Sequence, residues 1–184
     1  DDSNKRYFTN GILSHNTELA KQITRYLFES DDSLIRIDMS EYMEKFSINR
    51  IIGSPQGYVG YDDSNVLDRI RRKPYSVVLF DEIEKAHKDV LNLFLQMLDD
   101  GHMTDSHGRK VSFKNCIILM TSNVGTKMLK DFGTGVGFNT SFRNESNTSN
   151  AKSVLEKELK KHFAPEFINR LDGIIYFKDL GKDE

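Results

Sequence analysis

Apolar residues along this chain fall into two alternating patterns, short unbroken runs and longer stretches at helical spacing. The runs at 34–39, 77–81 and 116–121 read as buried strands, because a parallel strand covered on both faces has no polar side to present. Weaker runs at 7–13 and 173–177 read as a first and a last strand. Over 17–28, Leu19, Ile23, Tyr26 and Leu27 recur at helical spacing, as do Ile83, Val90, Leu91, Phe94, Leu95 and Leu98 over 83–98; both sets are expected to face a core. Asp99-Asp100-Gly101 supplies a glycine stop for the second helix, and Ser40 is the expected N-cap of a helix after the 34–39 strand. Residues 111–113 are expected to close a hairpin with 103–104. Strands alternating with helices predict an α/β fold around a parallel sheet.

One segment departs from both patterns. Residues 133–150 are rich in Gly, Asn, Ser and Thr, with Val136, Phe138 and Phe142 as their substantial apolar side chains, so they are expected to form a mobile insertion rather than a domain boundary. A charged helix is predicted over 151–163, with Val154, Leu155, Leu159 and Phe163 as a narrow apolar stripe. No internal repeat is visible.

Composition narrows the function classes. The 184 residues, 38% hydrophobic and 29% charged, suit one soluble domain with one core. A net charge of -2 gives no electrostatic argument for nucleic acid, for which a basic surface is expected. The single cysteine, Cys116, excludes an internal disulfide framework and is expected to be inert core. The five histidines lack metal-site spacing. No run is long enough for a membrane span, and no signal-peptide pattern opens the chain. Its abrupt ends suggest a fragment. The abundance of Asn, Lys and Ile suits an AT-rich coding genome such as a plastid's.

The run Val77-Val78-Leu79-Phe80-Asp81-Glu82 carries the strongest chemistry, because apolar residues here deliver two adjacent carboxylates to a strand end. In open α/β sheets ligands sit beyond the carboxyl ends of such strands. A Walker B motif has this form: Asp81 holds Mg²⁺ directly or through water, and Glu82 polarises the attacking water. The plain alternative is a buried strand followed by an acidic first helical turn that favours the helix dipole.

A phosphate-binding P-loop needs G-x-x-x-x-G-K-[ST], so that backbone amides wrap the phosphates and a lysine reaches the β and γ oxygens. The matching stretch is Asn10-Gly11-Ile12-Leu13-Ser14-His15-Asn16-Thr17. Thr17 stands where a Mg²⁺-ligating hydroxyl belongs, but Asn16 replaces the lysine and His15 the second glycine. A charge-assisted hydrogen bond contributes about 1.5 to 3 kcal/mol, so the missing lysine alone lowers nucleotide affinity by roughly 10- to 100-fold. Asn10-Gly11 also reads simply as a turn between strand and helix.

Further stretches occur in a definite order around these. They are Gly53-Ser54-Pro55-Gln56-Gly57-Tyr58-Val59-Gly60-Tyr61, then Arg71-Arg72-Lys73-Pro74-Tyr75, the Walker B run, and Leu93-Phe94-Leu95-Gln96-Met97-Leu98-Asp99-Asp100-Gly101. Thr121-Ser122-Asn123 and Phe167-Ile168-Asn169-Arg170-Leu171-Asp172 follow. From about Thr17 onward this ordered set resembles the second ATPase module of a Clp-type AAA+ unfoldase, a family of ring chaperones that thread proteins through a central pore. The resemblance implies the AAA+ large subdomain, a three-layer αβα sandwich of the P-loop NTPase type, spanning 1–184. A small helical domain would follow Lys178-Asp179-Leu180, but the chain stops at Glu184.

The resemblance also implies roles. ATP and Mg²⁺ are the cofactors, with Thr17 and Asp81 as metal and nucleotide contacts and Glu82 as the catalytic carboxylate. Asn123 would be the sensor that orients water near the γ-phosphate, although asparagine also serves well as a turn or cap. Arg170 would be the arginine finger that enters a neighbouring subunit's site, where the structural alternative is a surface ion pair with Asp172. Tyr58 and Val59, set among glycines, would grip an unfolded polypeptide, though a glycine-rich turn with a packed tyrosine fits the same residues. Asp62-Asp63-Ser64-Asn65 lacks the paired glycines usual after such a loop. The stretch 102–110, with Asp105, His107 and Arg109, resembles the family's second pore-facing loop. Implied partners are unfolded or tagged protein substrates, a Clp-type peptidase and a hexameric ring of like subunits, in a bacterial cytoplasm or plastid stroma, without nucleic acid or membrane. The degenerate P-loop leaves open an inert subunit or peptide-binding module that assists an active ring.

Overall fold

The computed structural model describes residues 15–54, 65–124 and 146–176. The predicted strand at 7–13, Tyr58 and Val59, and most of the 133–150 segment lie outside them.

Strand β1, Leu34–Asp38, pairs in parallel with β2, Ser76–Asp81, which pairs in parallel with β5, Cys116–Met120. Every residue of β2 is buried, as its unbroken apolar run demands. The registers Asp38↔Asp81 and Phe80↔Met120 bring the carboxyl ends of all three strands to one edge. The antiparallel hairpin of β3, His102–Thr104, and β4, Lys110–Ser112, forms as expected. The α/β architecture with a parallel sheet is therefore the one the patterning predicts.

Helix α1, His15–Phe28, packs on β1 and β2, but not through the face expected from its large apolar residues. Leu19, Tyr26 and Leu27 are exposed, whereas Thr17, Ala20 and Thr24 are buried. Small side chains at i, i+3 and i+7 let the helix lie close on the sheet, and Thr24 Oγ1 donates to the Ala20 carbonyl at 2.7 Å rather than staying unsatisfied.

The stretch predicted as one helix over 83–98 is divided. A 3₁₀ turn spans Ile83–Lys85, Ala86 is extended at φ -63°, ψ 141°, and α4 runs Lys88–Asp100 with His87 as its N-cap. His87 Nδ1 accepts from the Asp89 N–H at 3.2 Å, so a side-chain cap interrupts what periodicity alone reads as continuous. Val90, Phe94 and Met97 are fully buried on α4. Gly101 at φ 66° closes α4 as the glycine stop predicts, its N–H reaching the Met97 carbonyl at 2.9 Å.

Short helices α2, Ile48–Ile52, and α3, Val66–Arg72, flank the 55–64 segment; α5, Ser146–His162, and α6, Pro165–Asn169, come last. Helix α5 therefore begins before residue 151, within the segment expected to stay mobile. The helix expected from Ser40 is a 3₁₀ turn, Met39–Tyr42, capped by Asp38, whose Oδ1 accepts from the Ser40 N–H at 2.9 Å and from its hydroxyl at 2.6 Å. The preceding carboxylate thus displaces Ser40 from the capping role. Residues 173–176 form no strand, and Ile174 and Ile175 are exposed. Cys116 is half-buried rather than core, at the start of a strand that is half-buried throughout. Its Sγ lies 3.4 Å from the Pro74 carbonyl, and burial raises its thiol pKa.

Candidate functional site

The site forms where the ends of β2 and β5 meet the start of α1. Register carries Asp81 to the edge of the sheet, where its carboxylate is nearly buried. The Thr17 hydroxyl approaches Asp81 Oδ2 at 3.5 Å, so two hard oxygen donors predicted from separate motifs converge. Arg36 donates to the same Oδ2 from Nε at 3.0 Å and also from Nη2. The other oxygen, Oδ1, accepts from the Thr121 hydroxyl.

Thr121 organises the turn that follows. Its Oγ1 accepts from the Glu82 N–H at 3.0 Å, its carbonyl from the Ile83 N–H at 2.9 Å, and its own N–H donates to the Phe80 carbonyl at 3.0 Å. Glu82 is thereby held at φ 57°, ψ 52°, a left-handed conformation that costs a non-glycine residue about 1 to 3 kcal/mol and persists only where surroundings enforce it. The turn directs the Glu82 carboxylate to Asn123, whose Nδ2 donates to Oε1 at 3.2 Å, and to Lys85, whose ammonium donates to Oε2 at 2.6 Å. The hydrogen bond to Glu82 raises the Lys85 pKa further. The Asn123 N–H donates to Glu84 Oε1 at 2.9 Å, while Glu84 Oε2 is buried with no hydrogen bond among the described residues.

Thr17, Asp81, Glu82 and Asn123 are thus brought together. Arg170 is not: it ends α6, and its Nε lies 2.6 Å from Asp99 Oδ1 at the end of α4, so the ion pair it makes is with Asp99 and not the Asp172 of the structural alternative. Asn16 lies in the first turn of α1, with its side chain outside the described residues.

Arg36 and Thr121 were missed by sequence reasoning. Arg36 is the lone cation in the alternating strand Leu34-Ile35-Arg36-Ile37-Asp38, and an exposed charge between buried isoleucines was a usable signal. Thr121 had no comparable signal, since only the register of β5 against β2 sets its hydroxyl between Asp81 and Glu82.

The donor set fits Mg²⁺. A threonine hydroxyl and an aspartate carboxylate are hard oxygen ligands of the kind that ion prefers; the Arg36 guanidinium occupies the same Asp81 oxygen and would have to yield it to the ion. No cluster of three or more His, Cys, Asp or Glu suited to a metal occurs among the described residues.

The family described as AAA domain (Cdc48 subfamily) matches residues 8–174. The ATP-dependent Clp protease ATP-binding subunit ClpA homolog of Guillardia theta is 52% identical over 170 residues, covering 91% of this chain and 21% of that protein. The chaperone protein ClpB of Clostridium tetani is 55% identical over 169 residues, covering 91% and 18%. The chain therefore spans about a fifth of the length of these relatives. Among solved structures, the extended conformation of a Saccharomyces cerevisiae Hsp104:casein complex superposes with a TM-score of 0.74 at 40% identity, covering 88% of this chain and 26% of that one.

Proposed function

This chain belongs to the AAA domain (Cdc48 subfamily) family, on its Clp-type branch, and from that premise we propose that it is the large ATPase subdomain of a ring-forming protein unfoldase. The convergence of Thr17, Asp81, Glu82 and Asn123 carries this reading, because it unites groups of the kinds that hold Mg²⁺ and orient an attacking water. ATP and Mg²⁺ when bound would supply the hydrolysable phosphate and the charge that stabilises its transfer.

The chain's own residues divide the work. Thr17 and Asp81 would hold the cation and Glu82 would accept a hydrogen bond from the attacking water, while the Asn123 amide fixes the rotamer of Glu82. Lys85 neutralises the outer oxygen of Glu82, so this contact must loosen before Glu82 acts as a full base. Arg170 acts on the neighbouring subunit's nucleotide, and Tyr58 and Val59 grip the polypeptide. The working form is a hexamer acting on unfolded or tagged proteins, delivering them to a Clp-type peptidase or releasing them to refold. A plastid stroma or a bacterial cytoplasm is its setting.

Asn16 favours a second reading, in which the subunit keeps the fold and the gripping loop but depends on intact neighbours for hydrolysis. Calorimetric titration with ATP and Mg²⁺ tests the nucleotide site: the chain should bind no tighter than high micromolar, about 5 to 6 kcal/mol, and show no turnover alone. Submicromolar affinity would overturn the impairment.

A further inference from the structure

We propose that the tip of the β3–β4 hairpin is a strut that fixes both roots of the 55–64 segment, with Asp105 and Ser106 as its positioning residues. The tip is first closed on itself. The Asp105 side chain is 1% exposed; its Oδ1 accepts from the N–H groups of His107 at 2.9 Å and Arg109 at 2.8 Å, and its Oδ2 from Arg109 Nε at 2.6 Å. The Asp105 carbonyl accepts from the Gly108 N–H at 3.0 Å, completing a four-residue turn with Ser106 in second place.

This closed tip is then fastened to the chain on either side of the segment. The Ser106 N–H donates to the carbonyl of Ile52, the last residue of α2, at 2.8 Å. At the next residue, Gly53 with φ +93°, a Cβ would lie 2.6 Å from Ser106 Oγ and 2.8 Å from Asn65 Nδ2. Asn65 is the opposite root: it is buried and caps α3, accepting from the Asp68 N–H at 2.9 Å. Asp68 in turn accepts from Arg109 Nη2 at 3.2 Å. The hairpin tip therefore holds one root through Ile52 and reaches the helix that begins at the other through Arg109 and Asp68, with Gly53 set between Ser106 and Asn65 in a space that admits no added methyl group.

The strut joins that root to the nucleotide edge by a short covalent route. Helix α4 starts just after the Glu82 turn, ends at Gly101, and passes directly into β3. A shift of α4 along its axis would move the tip, and with it Ile52, Gly53 and Asn65. The consequence for polypeptide grip rests on the reading of Tyr58 as the gripping residue; the mechanical coupling does not.

The chain has no tryptophan, so Tyr58→Trp installs a single fluorescent reporter. In that background Ser106→Pro retains the turn, where proline is favoured in second place, and deletes the N–H that reaches Ile52. It should lower the reporter's anisotropy and speed amide exchange at Gly53 by roughly fivefold, the scale of one lost neutral hydrogen bond. Ser106→Ala, which retains the N–H, should leave both unchanged. If Ser106→Pro does not fold, Asp105→Asn, which loosens the tip from within, is measured in its place and should act in the same direction. Unchanged anisotropy and exchange in the folded variant would overturn the strut, as would an equal change in Ser106→Ala. Binding of fluorescein-labelled casein separates the two ideas: altered anisotropy with unaltered casein affinity retains the strut and removes the gripping role.

Discussion

Arg36 donates to Asp81 Oδ2, the same carboxylate oxygen that Thr17 approaches at 3.5 Å. The Asp81 side chain is 13% exposed and that of Arg36 48%, so the pair is partly desolvated and still reached by solvent. An unpaired carboxylate in such a place is unfavourable, and the guanidinium balances it.

Arg36→Gln should therefore destabilise the chain by about 1 to 2 kcal/mol, between the values of exposed and fully buried pairs, measured by urea denaturation. Millimolar Mg²⁺ should recover part of that loss in the variant, because the ion can take the vacated oxygen, and should do less for the parent chain. Equal Mg²⁺ responses would show that Arg36 and the ion do not share this oxygen.

Asp105 gives a pH-dependent prediction. Burial acts most strongly on its pKa and raises it, but the Arg109 N–H, the Arg109 guanidinium and the His107 N–H together outweigh burial, and the net shift is downward. A carboxylate depressed on folding stabilises the native state above its unfolded value, about 3.9, and loses that contribution as pH falls through the folded value. Asp105→Asn should then cost about 1 to 3 kcal/mol at pH 7, and the gap to the parent should narrow below about pH 4. A gap independent of pH would assign the effect to packing.

Strand β2 was legible because Val77, Val78, Leu79 and Phe80 are buried on both faces and leave no polar alternation to misread. Strands β1 and β5 form where expected, but β1 alternates with Arg36 exposed and β5 is only half-buried, not covered on both faces as their runs predict. The inward face of α1 was not. Its buried residues are Thr17, Ala20 and Thr24, and hydrophobicity weights the larger Leu19, Tyr26 and Leu27 instead. The break at Ala86 and His87 was hidden because the side-chain cap sits inside an apolar period. Asp81 and Glu82 could be placed from their run alone, whereas the left-handed turn at Glu82 and its Thr121 support depend on pairing between distant strands.

The nucleotide site should respond to repair of its first helical turn. His15→Gly combined with Asn16→Lys restores the glycine and the cation that the phosphate cradle uses, and should tighten ATP binding by roughly 10- to 100-fold. Titration calorimetry reads this directly. No gain would mean that the defect extends beyond these two residues.

Tyr58 separates gripping from packing. In assembled rings, on the proposed gripping role, Tyr58→Ala should slow translocation of an unfolded protein far more than it reduces ring formation. Loss of assembly or of thermal stability in that variant would make Tyr58 a packing residue.

Arg170 tests whether the subunit serves its neighbour. Its partner Asp99 and the adjacent Asp100 lie in the last turn of α4, which contains no basic residue. Carboxylates there oppose the helix dipole, so a cation close by has a structural reason of its own. The pair is exposed on both sides, 56% and 36%, and an exposed pair contributes about 1 kcal/mol or less. Releasing Arg170 from Asp99 is therefore cheap beside the stabilisation that a guanidinium gives a phosphoryl transition state. In rings mixed with a relative that carries an intact P-loop, Arg170→Ala should lower the relative's turnover at the shared site by roughly 10³-fold or more. Asp99→Asn, which frees the guanidinium without removing it, should leave that turnover close to the parent value. If Arg170 only balances Asp99, both substitutions will alter stability slightly and neither will change turnover. Steady-state ATPase in rings of verified mixed composition decides between the two outcomes.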